Sequence, residues 1–226
     1  MCPFCYIGKR RFENALEQFH NKEKISVEWK SFQLITGLKT EGDKNADEFL
    51  AEQKGVSIEH ARAMNGHVSQ MAQDVGLNFN FDKAIPANTF NAHRLIHFAK
   101  TKGKQTEAEE ILFRSYFTEG KNIDDYPTLV ALGKEIGLDI EELNAALKNG
   151  RFAEKVQKDI YEAQQIGVRG VPFFVFNRKY AVSGAQASEI FLEVLQKSFA
   201  EWQTENAKPK LEVTEGKVCT PDGECD

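Results

Sequence analysis

Met1-Cys2-Pro3-Phe4-Cys5-Tyr6-Ile7-Gly8-Lys9-Arg10-Arg11-Phe12 opens the chain, and its reading decides the fold. Behind the two cysteines, Phe12, Leu16 and Phe19 recur at helical spacing, with Glu13, Glu17 and Gln18 on other faces. That pattern places Cys2 at the N-terminus of a helix. Unpaired backbone N–H groups and the positive end of the macrodipole favour a negative charge there. A thiol so placed ionises more easily, and the thiolate is the reactive form. Pro3 suits the first helical position, where a missing N–H costs nothing. Cys5 falls one turn later on the same face, within disulfide reach of Cys2. The pair reads as a redox switch; half of a metal site and a chance pairing are the alternatives.

Of 226 residues, 41% are hydrophobic and 28% charged, the balance of a soluble globular protein with room for one sizeable domain or two small ones. A formal net charge of -5 argues against general nucleic-acid binding, which needs a basic field. No apolar run approaches the ~18–20 residues that cross a bilayer, so no membrane partner is expected. No basic-then-apolar secretory leader opens the chain, and the expected compartment is the cytoplasm. Four cysteines are too few to staple a scaffold of this length. They fall in two pairs at opposite ends, Cys2/Cys5 and Cys219/Cys225. In a reducing compartment such pairs are more often catalytic, sensing or metal-binding than structural. A redox pair at a helix start usually follows a buried strand, and here a single Met precedes it. The expectation is a missing strand of about ten residues ahead of Cys2, or a start of translation further upstream. A cleaved leader there would change the compartment.

Along the chain, the first helix runs from Pro3 to about His20. Ile25, Val27 and Trp29 then alternate with Ser26, Glu28 and Lys30, which is strand periodicity, and Phe32 to Leu34 extend it. A glycine-containing charged loop follows over residues 36–45. From Ala46 to Gly167 the pattern is helical, with repeated capping signals: Ser57, a Thr106/Glu109 box, Pro127 and an Asp139/Glu142 box. Strand character returns in Val171-Pro172-Phe173-Phe174-Val175-Phe176 and Tyr180-Ala181-Val182-Ser183-Gly184, with a hairpin turn at Asn177-Arg178-Lys179. Ser188 to Trp202 reads as a closing helix. The order predicts an α/β fold in two pieces, 1–35 and 168–203, split by an inserted helical domain over 44–167. Residues 204–226 form a tail that carries Cys219 and Cys225.

Three segments carry a resemblance to a known family. Cys2-Pro3-Phe4-Cys5-Tyr6-Ile7-Gly8-Lys9-Arg10 resembles the active-site opening of DsbA-like thioredoxin-fold proteins, and looks closest to the FrnE-like branch of dithiol–disulfide oxidoreductases. Gly167-Val168-Arg169-Gly170-Val171-Pro172-Phe173-Phe174-Val175-Phe176, continued by Tyr180 to Gln186, resembles that family's Gly-Val-x-Gly-Val-Pro segment. Asn88-Thr89-Phe90-Asn91-Ala92-His93-Arg94-Leu95 is similar to part of its helical domain. Together they cover Cys2 to about Ala200. The resemblance implies a thioredoxin fold interrupted by helices, with a cis Val171–Pro172 bond beside the cysteine pair. A proline bond tolerates the cis form where others do not, and an ordinary proline at a strand start is the alternative. Phe4, Asn88 and His93 become candidates for the cleft, although His93 also reads as a helix histidine satisfied at a domain interface.

The implied chemistry is thiol–disulfide exchange or isomerisation, through a mixed disulfide on Cys2 with Cys5 as the resolving thiol. Pro3 and Phe4 bring no positive charge, so the acidification of Cys2 is expected to be moderate. Lys9 and Arg10, within two or three turns, either add a little to it or, as is commoner for such residues, are simply solvated. No cofactor is expected beyond the redox-active disulfide, with glutathione as a candidate redox partner. The substrate would be a thiol- or disulfide-containing protein or small molecule, and an exposed sheet edge would favour a homodimer. Cys219 and Cys225 form either a second redox pair, a pin for the tail or free thiols. Rival readings are a structural zinc site built from the two pairs, a chaperone-like binding protein, and a glutathione-dependent isomerase or transferase of the kappa-like superfamily. Members of that superfamily typically have serine where this chain has Cys2.

Overall fold

One helix with two apolar faces organises the chain. α1 (Pro3–Gln18) buries Tyr6 and Ile7 in one core and Phe12 and Ala15 in another. The structure, a computed structural model, describes residues 1–206. After α1 come α2 (Ala46–Lys54), α3 (Ile58–Gln73), α4 (Phe90–Lys100), α5 (Gln105–Phe117), α6 (Tyr126–Glu135), α7 (Ile140–Lys148), α8 (Ala153–Gln165), β1 (Phe173–Phe176), β2 (Tyr180–Ser183) and α9 (Ser188–Glu205). The first core gathers Leu95 and Phe98 of α4, Leu112 and Phe117 of α5, and Leu129 and Leu143 of α6 and α7. The second packs Phe12 and Phe19 against Phe176, Val182, Phe191, Leu195 and Phe199.

Local chemistry explains most helix starts. Asn45 forms a full capping box with Glu48 ahead of α2, and the Ser57 hydroxyl accepts from the His60 N–H at 3.2 Å ahead of α3. Asp125 and Asp139 cap α6 and α7 by accepting from the backbone N–H groups of Thr128 and Glu142. The expected Thr106/Glu109 box does not form. Lys104 stands at the N-cap of α5, and Thr106 lies within the helix. α4 begins at Phe90, whose N–H donates to the Asn88 Oδ1 at 2.8 Å.

β1 and β2 pair antiparallel, with Phe173 opposite Ser183 and Phe176 opposite Tyr180. Asn177 and Arg178 take φ of 48° and 59°, the left-handed pair that a tight hairpin requires. Among the described residues these two strands make the whole sheet. The expected strand at Ile25 to Trp29, with its extension to Leu34, is absent as a strand. From Trp29 to Phe32, backbone groups are met by side chains instead. Gln105 accepts from the Trp29 N–H at 3.2 Å and donates to the Trp29 carbonyl at 3.0 Å. Asp159 accepts from the Ser31 N–H at 3.0 Å. The alternation is present in the sequence, but no described strand lies alongside to form a ladder. The α/β layer therefore reduces to a hairpin, and helices dominate. Segment 25–32 and β1 line a shared cavity of about 1200 Å³ that reaches Cys2.

Asp159 also clasps that segment to two helices. Its Oδ2 lies 3.1 Å from His97 Nε2, which is 3.2 Å from the Ser31 hydroxyl. Ser31, His97 and Asp159 are all buried. Burial opposes the carboxylate, but His97, the Ser31 N–H and Lys30 outweigh it and hold Asp159 at about 2 against an ordinary 3.8. A depressed carboxyl stabilises the fold above its ordinary value and loses that contribution as pH falls through the folded one. Asp159→Asn should cost about 2 kcal/mol near neutral pH. The gap from the parent in urea denaturation should close as pH drops from 3.8 towards 2.

Candidate active site at the start of the first helix

Cys2 is the N-cap of α1, in extended backbone geometry with φ −104° and ψ 117°, and Pro3 occupies the first helical position. The Cys5 N–H donates to the Cys2 carbonyl at 3.2 Å, which closes the first turn. Both cysteines are free thiols, Cys2 buried and Cys5 half-buried. A hydrogen bond from the Cys5 thiol is the main influence lowering Cys2 to about 7. Burial opposes that shift, and the backbone N–H groups of Cys5 and Phe4 support it. Cys5 moves the opposite way, well above 9.0, through the same bond, its burial and the negative charges of Cys2 and Glu109. The turn therefore holds one ready thiolate and one retained proton, the division that exchange chemistry needs.

The 170s loop closes over this turn. The Val171–Pro172 bond is cis, and Cys2 Sγ lies 3.5 Å from the Val171 carbonyl oxygen. Two bonds fix the loop: the Gly184 N–H donates to the Pro172 carbonyl at 2.8 Å, and Arg11 Nη1 donates to the Ala185 carbonyl at 2.6 Å. Gly8 makes the approach possible. A Cβ there would stand 3.1 Å from Pro172 Cγ and 3.4 Å from Phe174 Cζ.

Lys9 and Arg10 correct an expectation. Lys9 is 3% exposed rather than solvated. Its Nζ donates to Glu13 at 2.5 Å and to Glu110 Oε2 at 2.6 Å. Arg10 pairs with the same Glu110, and the Tyr6 hydroxyl donates to Glu110 Oε1 at 2.5 Å. Burial opposes the Glu110 charge, yet these partners hold its carboxyl at about 2. The cluster fastens α1 to α5, so both cations serve position rather than the thiolate.

The other candidate residues have separate fates. Phe4 is 38% exposed beside the cysteines. His93 lines the cavity, its Nε2 lies 3.1 Å from the Phe32 carbonyl, and its buried Nδ1 has no partner among the described residues. Burial lowers it to about 4, so it is neutral. Asn88 is taken up by loop contacts: its Nδ2 donates to the Leu38 carbonyl at 2.8 Å, and its N–H to the Thr40 hydroxyl at 3.1 Å. Cys219 and Cys225 lie outside the described residues. Sequence reasoning missed Trp29 and Glu109, which share the cavity wall with Cys2 and Cys5. A signal for Glu109 existed: it falls on the apolar stripe of α5 with Leu112, Phe113 and Tyr116.

A model of the DSBA-like thioredoxin domain matches residues 1–196. The chain belongs to the DSBA-like thioredoxin domain family. A probable DsbA oxidoreductase of Streptomyces coelicolor is 34% identical, with a TM-score of 0.82 over 100% of this chain and 94% of that one. The uncharacterized protein YwbO of Bacillus subtilis is 28% identical over 193 residues, 84% of this chain and 89% of its own length. A 2-hydroxychromene-2-carboxylate isomerase shares the fold at 14% identity and a TM-score of 0.60, over 91% of this chain and 93% of its own.

In this DsbA-like chain the acidity of Cys2 depends first on Cys5. Alkylation of Cys2 by iodoacetamide should rise with pH through an inflection near 7, and Cys5→Ala should move that inflection up towards 9.0.

Proposed function

We propose that this DsbA-like protein is a thiol–disulfide oxidoreductase and isomerase of the FrnE-like branch. The observation that carries the reading is the unequal pair at the helix start: Cys2 lowered to about 7, with Cys5 above 9.0 one turn away. In the reducing direction the Cys2 thiolate attacks a substrate disulfide and forms a mixed disulfide. Cys5 then displaces the substrate thiol and closes the Cys2–Cys5 disulfide. In the oxidising direction a substrate thiolate attacks that disulfide, and a second substrate thiol releases Cys2. Because the fold favours the Cys2 thiolate, it favours the reduced pair and makes the disulfide more oxidising than an unperturbed one.

The substrate is a thiol- or disulfide-containing protein or small molecule, reached in the cytoplasm, with glutathione as a redox partner. Cys219 and Cys225 are proposed as a second pair exchanging with the first. Among the described residues β1 pairs only with β2, and its other edge supports a homodimer. The cysteine at the position where kappa-like isomerases and transferases carry serine supports redox chemistry over theirs.

Titration in glutathione buffers, read by intact mass after thiol trapping, tests the reading. A Cys2–Cys5 disulfide should equilibrate reversibly with the buffer. Cys2→Ser should reduce turnover of a protein disulfide to background, and Cys5→Ser should accumulate the mixed disulfide. A pair that never oxidises, or one held by stoichiometric zinc, overturns the assignment.

A further inference from the structure

Lys9 lies on the same stripe of α1 as the cysteines. Cys2, Cys5 and Lys9 are spaced three and four residues apart and stack along one face of the helix that Cys2 caps. A helical side chain leans towards the N-terminus, which for Lys9 is the direction of Cys5. Four residues of helix are about 6 Å long, within the span of a lysine side chain. Yet its ammonium goes the other way. Nζ is 2.5 Å from Glu13 Oε1, one turn further on, and 2.6 Å from Glu110 Oε2 on α5. Arg10 follows it, with Nη1 2.7 Å from Glu13 Oε2 and 2.9 Å from Glu110 Oε2. Glu110 is the hub: it accepts from the Tyr6 hydroxyl, from Lys9 and twice from Arg10, which fills the roughly four acceptor positions of a carboxylate. Burial opposes its ionisation, but Arg10, Lys9 and Tyr6 outweigh burial and hold it at about 2. Two cations and two anions are therefore matched beside the active turn, and Glu110 is one of the two anions.

Resting on the redox reading, we propose that Glu110 is a positioning residue that sets how oxidising the Cys2–Cys5 disulfide is, by matching the charges of Lys9 and Arg10 and holding them off the Cys2 thiolate. With Glu110 in place, Cys2 is acidified mainly by the Cys5 thiol, with the backbone N–H groups of Cys5 and Phe4 in support. Without that charge, the cluster carries a net positive charge one to two turns from the sulfurs, and Lys9 is free of α5. A positive charge there stabilises the thiolate but not the uncharged disulfide, so the reduced pair gains. The other groups acting on the cluster are Tyr6, Arg114 and Glu109. Burial and the bond to Glu110 keep Tyr6 protonated, and Arg114 is paired with Glu119 and Glu135. Glu109, raised by burial and lowered by Lys9, is the carboxyl of α5 able to take the place of Glu110. The Met1 amine also acts on both cysteines and is common to every variant.

The test compares full-length chains that all carry Glu109→Gln, so that no second carboxyl on α5 receives Lys9. Two quantities are read: the pH inflection of Cys2 alkylation, and the equilibrium with glutathione at pH 7. In that equilibrium one glutathione thiolate attacks Cys2, and Cys5 leaves with the electron pair and takes a proton. A second glutathione thiolate attacks the bound glutathione sulfur, Cys2 leaves as a thiolate, and glutathione disulfide forms. Glu110→Gln should lower the Cys2 inflection, and should reduce by about threefold or more the ratio [GSH]²/[GSSG] at which half of the pair is oxidised. Adding Lys9→Gln makes the cluster neutral again and should return both quantities to the starting values, which the loss of a purely structural tie would not do. Unchanged or opposite shifts in Glu110→Gln overturn the proposal, as does a shift that Lys9→Gln fails to reverse. Where Glu110→Gln does not fold, Lys9→Gln alone decides. It leaves the anions in excess and should raise the inflection and make the disulfide less oxidising; unchanged values overturn the proposal. Failure of the redox reading is distinguishable: the pair would then not equilibrate with glutathione in any chain, while the alkylation inflections would still report the charge of the cluster.

Discussion

Gly8 has no side chain, and Pro172 stands against the place where one would be. The distance that a Cβ would have, 3.1 Å to the Pro172 ring, is tighter than packed interiors accommodate without a shift. This close approach of a helix to a loop about 160 residues further along sets the rest of the site. It brings the Val171 carbonyl to the Cys2 sulfur. It also lets Phe174 lie across Phe12, with ring centroids 5.7 Å apart, so that the hairpin and α1 share one core. A larger residue at position 8 would separate two elements that meet at the reactive sulfur.

α1 belongs to two cores at once, and the active turn sits at its start. Tyr6 stacks on Phe113 of α5 with centroids 4.9 Å apart, while Phe12 meets Phe191 of α9 edge-on at 5.8 Å. The helical block is therefore part of the scaffold that holds the cysteine turn rather than a lid placed on it. Its α5 supplies two consecutive carboxyl groups to the neighbourhood of α1, and the fold drives them apart. Glu110 meets two cations and a phenol and drops to about 2, whereas Glu109 meets mainly apolar surface and rises to about 8. The same residue type at adjacent positions becomes a permanent anion and a titratable acid, because the helix turns them to different faces.

Features that depend on local chemistry were legible in the sequence. The Cys2-Pro3-Phe4-Cys5 turn is a helix start by residue type alone, and Ser57 and Asp139 cap the helices that their spacing announces. The Val171-Pro172 segment was legible through resemblance, since spacing does not place it beside a residue 169 positions away. Features that depend on a distant partner were not. The period of two at Ile25 to Trp29 marks a segment with two faces, but it does not state whether a strand or the side chains of Gln105 and Asp159 will meet its backbone. Lys9 looked solvated because its partner Glu110 lies 101 residues away. Thr106 and Glu109 matched a capping pattern three residues apart, yet the helix had already begun at Gln105, and Glu109 was drawn inward by the stripe it occupies.

The unequal cysteines follow first from the hydrogen bond that the Cys5 thiol donates to Cys2. Cys2 ends the helix where backbone N–H groups converge, so a negative charge there is met by donors already in place. Cys5 sits one turn inside, facing a carboxyl from α5 and the charge on Cys2 itself, and keeps its proton. Forming a bond at Cys2 removes the charge that weighs most on Cys5. On the redox reading, attack by the Cys2 thiolate on a substrate disulfide would thus relieve the second cysteine, and the electrostatics of a single helical turn would set the order of the two steps.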